Sequence, residues 1–144
     1  MRKMGKLEKI ISVIIIATVI GGGAAFYVGQ KDAEAEEEKP LSAEEIAEMS
    51  IDTDIITTNL ASPGNFGIVQ FNILLSDKDT KEEAEKRTAE VRAAVIATVA
   101  SFKKEELVGE SGIITLEEEL AARLAEVFEK GTVKRVLVTE FKVQ

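Results

Sequence analysis

The sequence predicts an α+β fold: one transmembrane helix, then an extracytoplasmic domain in which a three-stranded or slightly larger antiparallel sheet packs on two amphipathic helices. Three observations predict it. Residues 10–28 carry no charge, residues 54–76 hold two β-rich runs around a Pro-Gly turn, and residues 80–129 repeat apolar side chains at three- or four-residue spacing. The 144 residues suffice for one packed domain of about 100 residues plus extra segments.

The N-terminal region has the pattern of a membrane anchor. Residues 1–9 are basic, and residues 10–28 would form a helix about 28 Å long, which matches a hydrocarbon core of about 30 Å. Acidic residues follow at 32–38. Because basic flanks stay in the cytoplasm, we expect a cytoplasmic N-terminus, a single span and an extracytoplasmic C-terminal domain.

Two further interpretations concern this segment. Gly23-Ala24-Ala25 could serve as a signal-peptide cleavage site, but the apolar run exceeds the usual length of about 7 to 15 residues and favours a retained anchor. Small residues also recur every four positions, a stripe that would let another transmembrane helix approach closely. The abundance of Gly and Ala in such helices explains the stripe equally well. The stripe consists of Ala17, Gly21, Ala25 and Gly29.

Residues 29–41 form an acidic linker, which we expect to be a solvated spacer between membrane and domain. The domain proper is predicted to span residues 42–144. Ser42 with Glu45 fits a capping box, so a short helix is expected from Ser42 to about Ser50. We predict that this helix contacts neighbouring copies or partners, because its apolar residues are too sparse for a core element.

A hairpin follows, with strands at Asp54 to Ala61 and Phe66 to Ser76 around the turn Ser62 to Asn65. In the second strand one face is wholly apolar and the other is mixed, so one face should pack under helices. The apolar face comprises Val69, Phe71, Ile73 and Leu75.

Two amphipathic helices are predicted next. Asp77 or Asp79 should cap a long helix from Thr80 to about Phe102, and a loop containing Gly109 and Gly112 should lead to a second helix at about Leu116 to Glu129. The apolar stripes are Ala84, Thr88, Val91, Val95, Val99 and Phe102 on the first helix, and Leu116, Leu120, Leu124 and Val127 on the second.

The chain ends on the strand-like run Val133 to Gln144. Strict alternation would direct Leu137, Thr139, Phe141 and Val143 to one side, and Val136, Val138, Glu140, Lys142 and Gln144 to the other. We predict that this strand pairs with the hairpin and completes the sheet.

The composition disfavours most catalytic chemistry. Cysteine and histidine are absent, which removes disulfides, the usual zinc ligands and Ser/His or Cys/His nucleophile pairs. The runs Glu36 to Glu38, Glu82-Glu83 and Glu117 to Glu119 are interpreted as solvated faces, because sequence neighbours on a helix do not face each other. Ser76 to Asp79 falls short of a calcium loop. We therefore expect no catalytic residue, cofactor, metal or small-molecule substrate, and the net charge of −8 argues against nucleic acid.

Beyond these patterns the chain resembles the flagellar basal-body-associated FliL family over nearly its whole length. The most specific stretch is Val133 to Gln144, VKRVLVTEFKVQ, and Thr58-Asn59-Leu60 adds a second match. Departures from the family pattern occur at Ala125, Phe128 and Lys142. The residues that match family positions, to which the resemblance gives a structural role, are Asn59, Arg92, Gly112, Leu116, Gly131, Val133, Thr139, Glu140, Phe141, Val143 and Gln144.

The resemblance implies a core similar to stomatin and prohibitin (SPFH) domains in a single-pass protein of the bacterial cytoplasmic (inner) membrane, with a periplasmic C-terminal domain. It further implies that copies assemble into rings or partial rings around the ion-driven flagellar stator and stabilise or activate it, supporting motility and chemotaxis without catalysis. One alternative is a single-pass extracytoplasmic adaptor of another envelope complex. A less favoured one is an extracytoplasmic enzyme that uses paired carboxylates.

Overall fold

A computed structural model of the protein describes residues 39–129 and 131–144. Residues Leu41–Gln144 form one compact unit. The predicted membrane segment at 10–28 and its stripe Ala17, Gly21, Ala25 and Gly29 lie outside the described residues, and no helix within the described ranges is long and apolar enough to cross a bilayer. In chain order the elements are α1 (Ala43–Met49), β1 (Ser50–Asp52), β2 (Ile56–Asn59), β3 (Phe66–Leu75), α2 (Lys78–Lys86), α3 (Thr88–Ser101), a 3₁₀ helix (Lys104–Leu107), α4 (Gly109–Ala125) and β4 (Val133–Val143).

The predicted short helix is present as α1. Ser42 and Glu45 form the expected capping box: the Ser42 N–H donates to Glu45 Oε2 at 2.7 Å, and the Glu45 N–H donates to Ser42 Oγ at 3.2 Å. The hydrogen bond from the Ser42 N–H to the carboxylate is the main reason that the pKa of Glu45 lies below its ordinary value. No residue of α1 is buried. The helix is therefore specified by its cap and not by packing.

The described sheet has four antiparallel strands, within the prediction of a three-stranded or slightly larger sheet. β3 lies in the centre; β1 and β2 follow each other along one side of it, and β4 pairs along the other. The sequence analysis missed β1, which has only three residues. β2 is also shorter than predicted, at both ends. Between β1 and β2 the Thr53 hydroxyl accepts from the Phe71 N–H at 3.0 Å in place of a backbone carbonyl.

The hydrophobic core lies between one face of the sheet and the helices. Its centre is the apolar face predicted for β3, whose four members are fully buried: Val69, Phe71, Ile73 and Leu75. The stripe predicted for the second amphipathic helix is buried too, at Leu116, Leu120 and Leu124. Both helices pack on the same apolar surface, so the predicted two-layer architecture is confirmed.

The prediction of one long helix from Thr80 to Phe102 is wrong. The helix begins at Lys78 and breaks at Arg87, whose backbone leaves the helical conformation (φ −107°, ψ 31°). Thr88, assigned to the buried stripe, is exposed because it opens the next helix, whereas the other stripe residues are buried. Asp77 is the cap of α2, one of the two candidates.

The second helix begins earlier than predicted, at Gly109 instead of Leu116, and ends at Ala125 instead of Glu129. Gly112 was assigned to a loop but is buried inside the first turns of α4. A Cβ at this position would lie 2.6 Å from the Glu106 carbonyl oxygen and 2.8 Å from the Leu107 carbonyl carbon. Only glycine lets the helix start against the backbone of the 3₁₀ turn.

The predicted alternation in β4 is wrong in its first half. The register with β3 skips Lys134 and Thr139, so two β-bulges each reverse which side chains face the core. Leu137 and Thr139 are therefore exposed, although both were assigned to the face of Phe141 and Val143. The core-facing residues are Val133, Val136, Val138, Phe141 and Val143.

Candidate functional site: two sheet edges and a groove

The outer side of β4 is the longer open edge of the sheet. Within residues 39–129 and 131–144 this eleven-residue strand pairs only with β3. An unpaired edge presents backbone donors and acceptors that another chain can use. Arg135, Glu140 and Lys142 are exposed along it, and Leu137 exposes 38% of its surface. This edge is a candidate contact surface with mixed charge.

A side chain from α4 covers one point of this edge. Phe71 directs its backbone N–H and C=O toward Thr53 on the opposite side of the sheet, so Val138, which faces Phe71, is in a non-hydrogen-bonded pair. Its N–H points away from β3 and donates instead to Glu117 Oε1 at 2.8 Å. Glu117 is half-buried, and its interpretation as part of a solvated face is wrong.

The opposite edge, formed by β1 and β2, borders a groove against α2 and α3. The cavity measures about 480 Å³ and is lined by apolar side chains of Ile51, Ile56, Ala84 and Val91. The Ser50 hydroxyl also lines it and, although buried, makes no hydrogen bond to any described residue. This groove is the second candidate contact surface.

The rim of the groove is charged. Arg92 on α3, one of the family-pattern residues, lies with its guanidinium 3.8 Å from the Asp54 carboxylate. The two side chains are 50% and 91% exposed, so this ion pair contributes little to stability. Asp52, Lys81 and Glu85 complete the charged rim. Asp52 also accepts a hydrogen bond from the Asn72 side chain at 2.8 Å, which leaves Asp54 as the more available acid.

Asn59 and Gln144 lie on opposite sides of Phe66 at one end of the sheet. Asn59 lies opposite Phe66 in the register. Phe66 and Gln144 exchange two backbone hydrogen bonds, each 2.9 Å long. The central strand therefore holds Gln144 in the sheet.

The Gly131 position lies at the corner where α2 begins. A Cβ there would overlap the buried Thr80 side chain, whose hydroxyl donates to Asp77 Oδ1 at 2.8 Å. The Thr80 N–H donates to the same oxygen at 2.8 Å, and the Ser76 hydroxyl donates to Asp77 Oδ2 at 2.7 Å. The pKa of Asp77 is lowered, chiefly by the hydrogen bond from the Ser76 hydroxyl. Asp77 thus acts as a helix cap, and no group of acids within the described ranges is arranged to hold a metal ion.

The other family-pattern residues do not converge on a common pocket. Gly112 supports the start of α4, Thr139 forms a bulge, and Phe141 packs half-buried against the core. Among the departures, Ala125 and Lys142 are exposed, whereas Phe128 is buried. Most of the motif residues maintain the fold, whereas Arg92 lies at the groove and Glu140 is exposed on the open edge of β4.

Arg87 was missed by the sequence analysis. At the break between α2 and α3 its guanidinium pairs with Glu83 at 3.2 Å and with Glu90 at 3.3 Å, and it donates to the Val127 carbonyl at 3.2 Å. It also pairs with Glu129, whose hydrogen bond is the main reason that the pKa of Arg87 is raised. The side chain therefore ties the helix junction to the segment after α4.

The described part of the chain is thus an α+β domain that presents two open sheet edges and a charged groove. Residues 50–144, from β1 to the last residue, match the family described as flagellar basal body-associated protein FliL. The flagellar protein FliL of Bacillus subtilis (strain 168) is 37% identical over 128 residues, which cover 87% of each chain. The chain therefore belongs to the FliL family, which confirms the resemblance and indicates a role at the flagellar basal body.

Proposed function

We propose that the protein is a non-catalytic, single-pass membrane component of the flagellar basal body that self-assembles around the ion-driven stator and stabilises it under load. In this proposal residues 1–9 lie in the cytoplasm, residues 10–28 span the membrane, and residues 29–41 connect to an extracytoplasmic domain at 42–144. The stator contact and the ring or partial ring follow from the family resemblance, as do the support of chemotaxis and the SPFH-like core.

The observation that carries the proposal is the extent of the family match. It includes every described strand, both open sheet edges and the groove, so the whole candidate contact surface lies within the family domain. The match to the Bacillus subtilis protein covers 87% of the chain, more than residues 41–144 alone account for. The shared region therefore extends upstream of the folded unit, toward the proposed anchor.

The geometry of α1 supports a contact role for the membrane-proximal end of the domain. This helix buries none of its residues, and Leu41 just before it is exposed. Its Glu48 pairs with Lys78 at 2.6 Å between exposed side chains. Because α1 contributes little to the core, we propose that it contacts neighbouring copies or partners. Deleting residues 42–49 should preserve the fold but weaken assembly or stator binding; unchanged assembly and binding would refute this role.

The function can be tested by removing the gene from the native host and measuring flagellar rotation against increasing viscous load. We expect rotation to fail at a lower load than in the parent strain, with restoration by the full-length protein. A version in which an unrelated transmembrane helix replaces residues 10–28 separates anchoring from contacts within the membrane. Unchanged rotation at every load after gene removal would contradict a stabilising role.

A further inference from the structure

We propose that the C-terminal half of β4 of one copy, residues 140–143, docks along the β1–β2 edge of a second copy in a head-to-tail contact. The inference rests on the proposed self-assembly and names its interface. Such a heterologous contact uses two different surfaces of each copy, so it continues from one copy to the next and can close into a ring.

The first argument is that each edge has an incomplete apolar surface. Phe141 and Val143 face the core but remain only half-buried, because no further strand covers them. Across the sheet, the half-buried Ile51 borders a groove of about 480 Å³ beside the unpaired side of β1 and β2, whereas Ile56, which also lines it, is already fully buried. If β4 of a second copy lay along this edge, its own Phe141 and Val143 would be covered, and the strand would fill the groove.

The second argument is charge complementarity. Lys142 is an exposed cation on β4, at a position where the family pattern has an apolar residue. Asp54 is an acid on the opposite edge with 91% of its side chain exposed, and its nearest cation, Arg92, is 3.8 Å away. Placing Lys142 of one copy beside Asp54 of the next would give Lys142 an opposite charge and bring a second cation to the highly exposed Asp54, whose pairing with Arg92 is long.

The third argument shows which half of β4 can pair with a strand of another copy. The outward N–H of Val138 already donates a hydrogen bond to Glu117, and the bulge at Thr139 interrupts the register at this point. From Glu140 to Val143 the pairing with β3 is regular, and no side chain of residues 39–129 or 131–144 caps the outer N–H groups in the way that Glu117 caps Val138. The contact is therefore confined to the end of the chain.

The test uses introduced cysteines, which are unique because the chain has none. Two full-length copies with different affinity tags are made together in the native host, one carrying Asp54→Cys and the other Lys142→Cys, and membranes are mildly oxidised. We expect a disulfide dimer that contains both tags and outweighs either same-tag dimer by at least about fivefold. Thiol labelling under denaturing conditions checks that both copies are present.

Arg135→Cys in place of Lys142→Cys is the matched control. Arg135 is also an exposed cation on β4, but it lies on the far side of the Glu117 cap. With this control, the yield of the disulfide dimer that contains both tags should be at least tenfold lower. Equal crosslinking through Arg135, or a dominant Lys142–Lys142 dimer, would overturn the head-to-tail contact. So would the absence of any mixed dimer.

A charge exchange gives a second test without cysteines. Asp54→Lys or Lys142→Asp alone should reduce co-purification of differently tagged copies severalfold, and the double variant should restore it, because each contact then regains opposite charges. Failure of the double variant to restore it counts against the proposal. If stator subunits still co-purify when the edge contact fails, the proposed stator role stands and the edge contact is refuted. If the edge contact forms but no stator subunits co-purify, the edge contact stands and the proposed stator role is refuted.

Discussion

The Glu117 carboxylate on α4 accepts a hydrogen bond from the backbone N–H of Val138 at the bulged edge of β4, over 2.8 Å. The contact joins the helix that packs on β4 to one of the outward backbone donors that β3 cannot satisfy. A single side chain thereby both holds α4 in place and closes part of an open edge. The stability of the domain should therefore depend on it.

Glu117→Ala should lower the free energy of unfolding of the isolated domain, residues 41–144, by about 1 to 2 kcal/mol, because a partly buried N–H loses a charged acceptor. Glu117→Gln should lose less, since its side-chain oxygen can still accept. Glu118→Ala is the control: Glu118 is exposed and should change stability by less than about 0.5 kcal/mol. Urea denaturation measures all three, and equal effects at both positions would contradict a specific contact.

Gly112→Ala should destabilise the domain by about 1 to 3 kcal/mol, as expected when an atom is forced into a packed site. The new Cβ would meet the backbone of Glu106 and Leu107, which cannot rotate away as a side chain could. Ser111→Ala, on the preceding exposed position, should leave the melting temperature unchanged or raise it slightly. A Gly112→Ala domain that melts like the parent would show that the 3₁₀ turn can shift freely.

Removing the residues after Thr139 should abolish the cooperative unfolding transition of the domain at 25 °C. The truncation deletes Phe141 and Val143 from the core and both backbone hydrogen bonds between Phe66 and Gln144. Burying such side chains completely is worth about 1.5 to 3 kcal/mol each, against a total stability of about 5 to 15 kcal/mol. Lys142→Ala, a change to an exposed residue within the same segment, should fold normally. Equal melting temperatures for truncated and full domains would refute the role assigned to the last strand.

Asp77 should make the domain more sensitive to acid. Its folded-state pKa is lower than its ordinary value, so its stabilising effect is complete above the unfolded pKa of about 3.9 and disappears as pH falls through the folded pKa. The melting temperature difference between the parent and Asp77→Asn should therefore shrink between pH 5 and pH 2. Asp79→Asn, a change to an exposed carboxylate, serves as the control. A difference that stays constant over this range would contradict the capping role of the ionised carboxylate.

Periodicity predicted the centre of the fold because it is regular there. The β3 face repeats every two residues, and Leu116, Leu120 and Leu124 repeat every four, so both patterns identify buried faces directly. The alternation failed in β4 because bulges at Lys134 and Thr139 change which side of the strand each residue occupies. A bulge depends on pairing with β3, and the local sequence does not encode it.

The sequence alone could not predict the groove or the long-range contacts of Glu117 and Arg87. Glu117 belongs to a run of three glutamates that resembles a solvated helix face, and its partner lies 21 positions away on β4. Arg87 is a residue type that helices accept, so its local sequence does not predict a helix break, and its contact with Glu129 lies 42 positions further along the chain. The groove exists only because α2 and α3 pack beside β1 and β2. Contacts between distant segments define all three features.

The most direct test of the proposed function is a crosslinking pull-down of the full-length tagged protein from membranes of its native host, followed by identification of the recovered partners. The account predicts recovery of untagged copies of the same chain together with flagellar stator subunits, and neither should be enriched with a tagged control membrane protein of similar abundance. Recovery of a different envelope complex, with stator subunits absent, would contradict it.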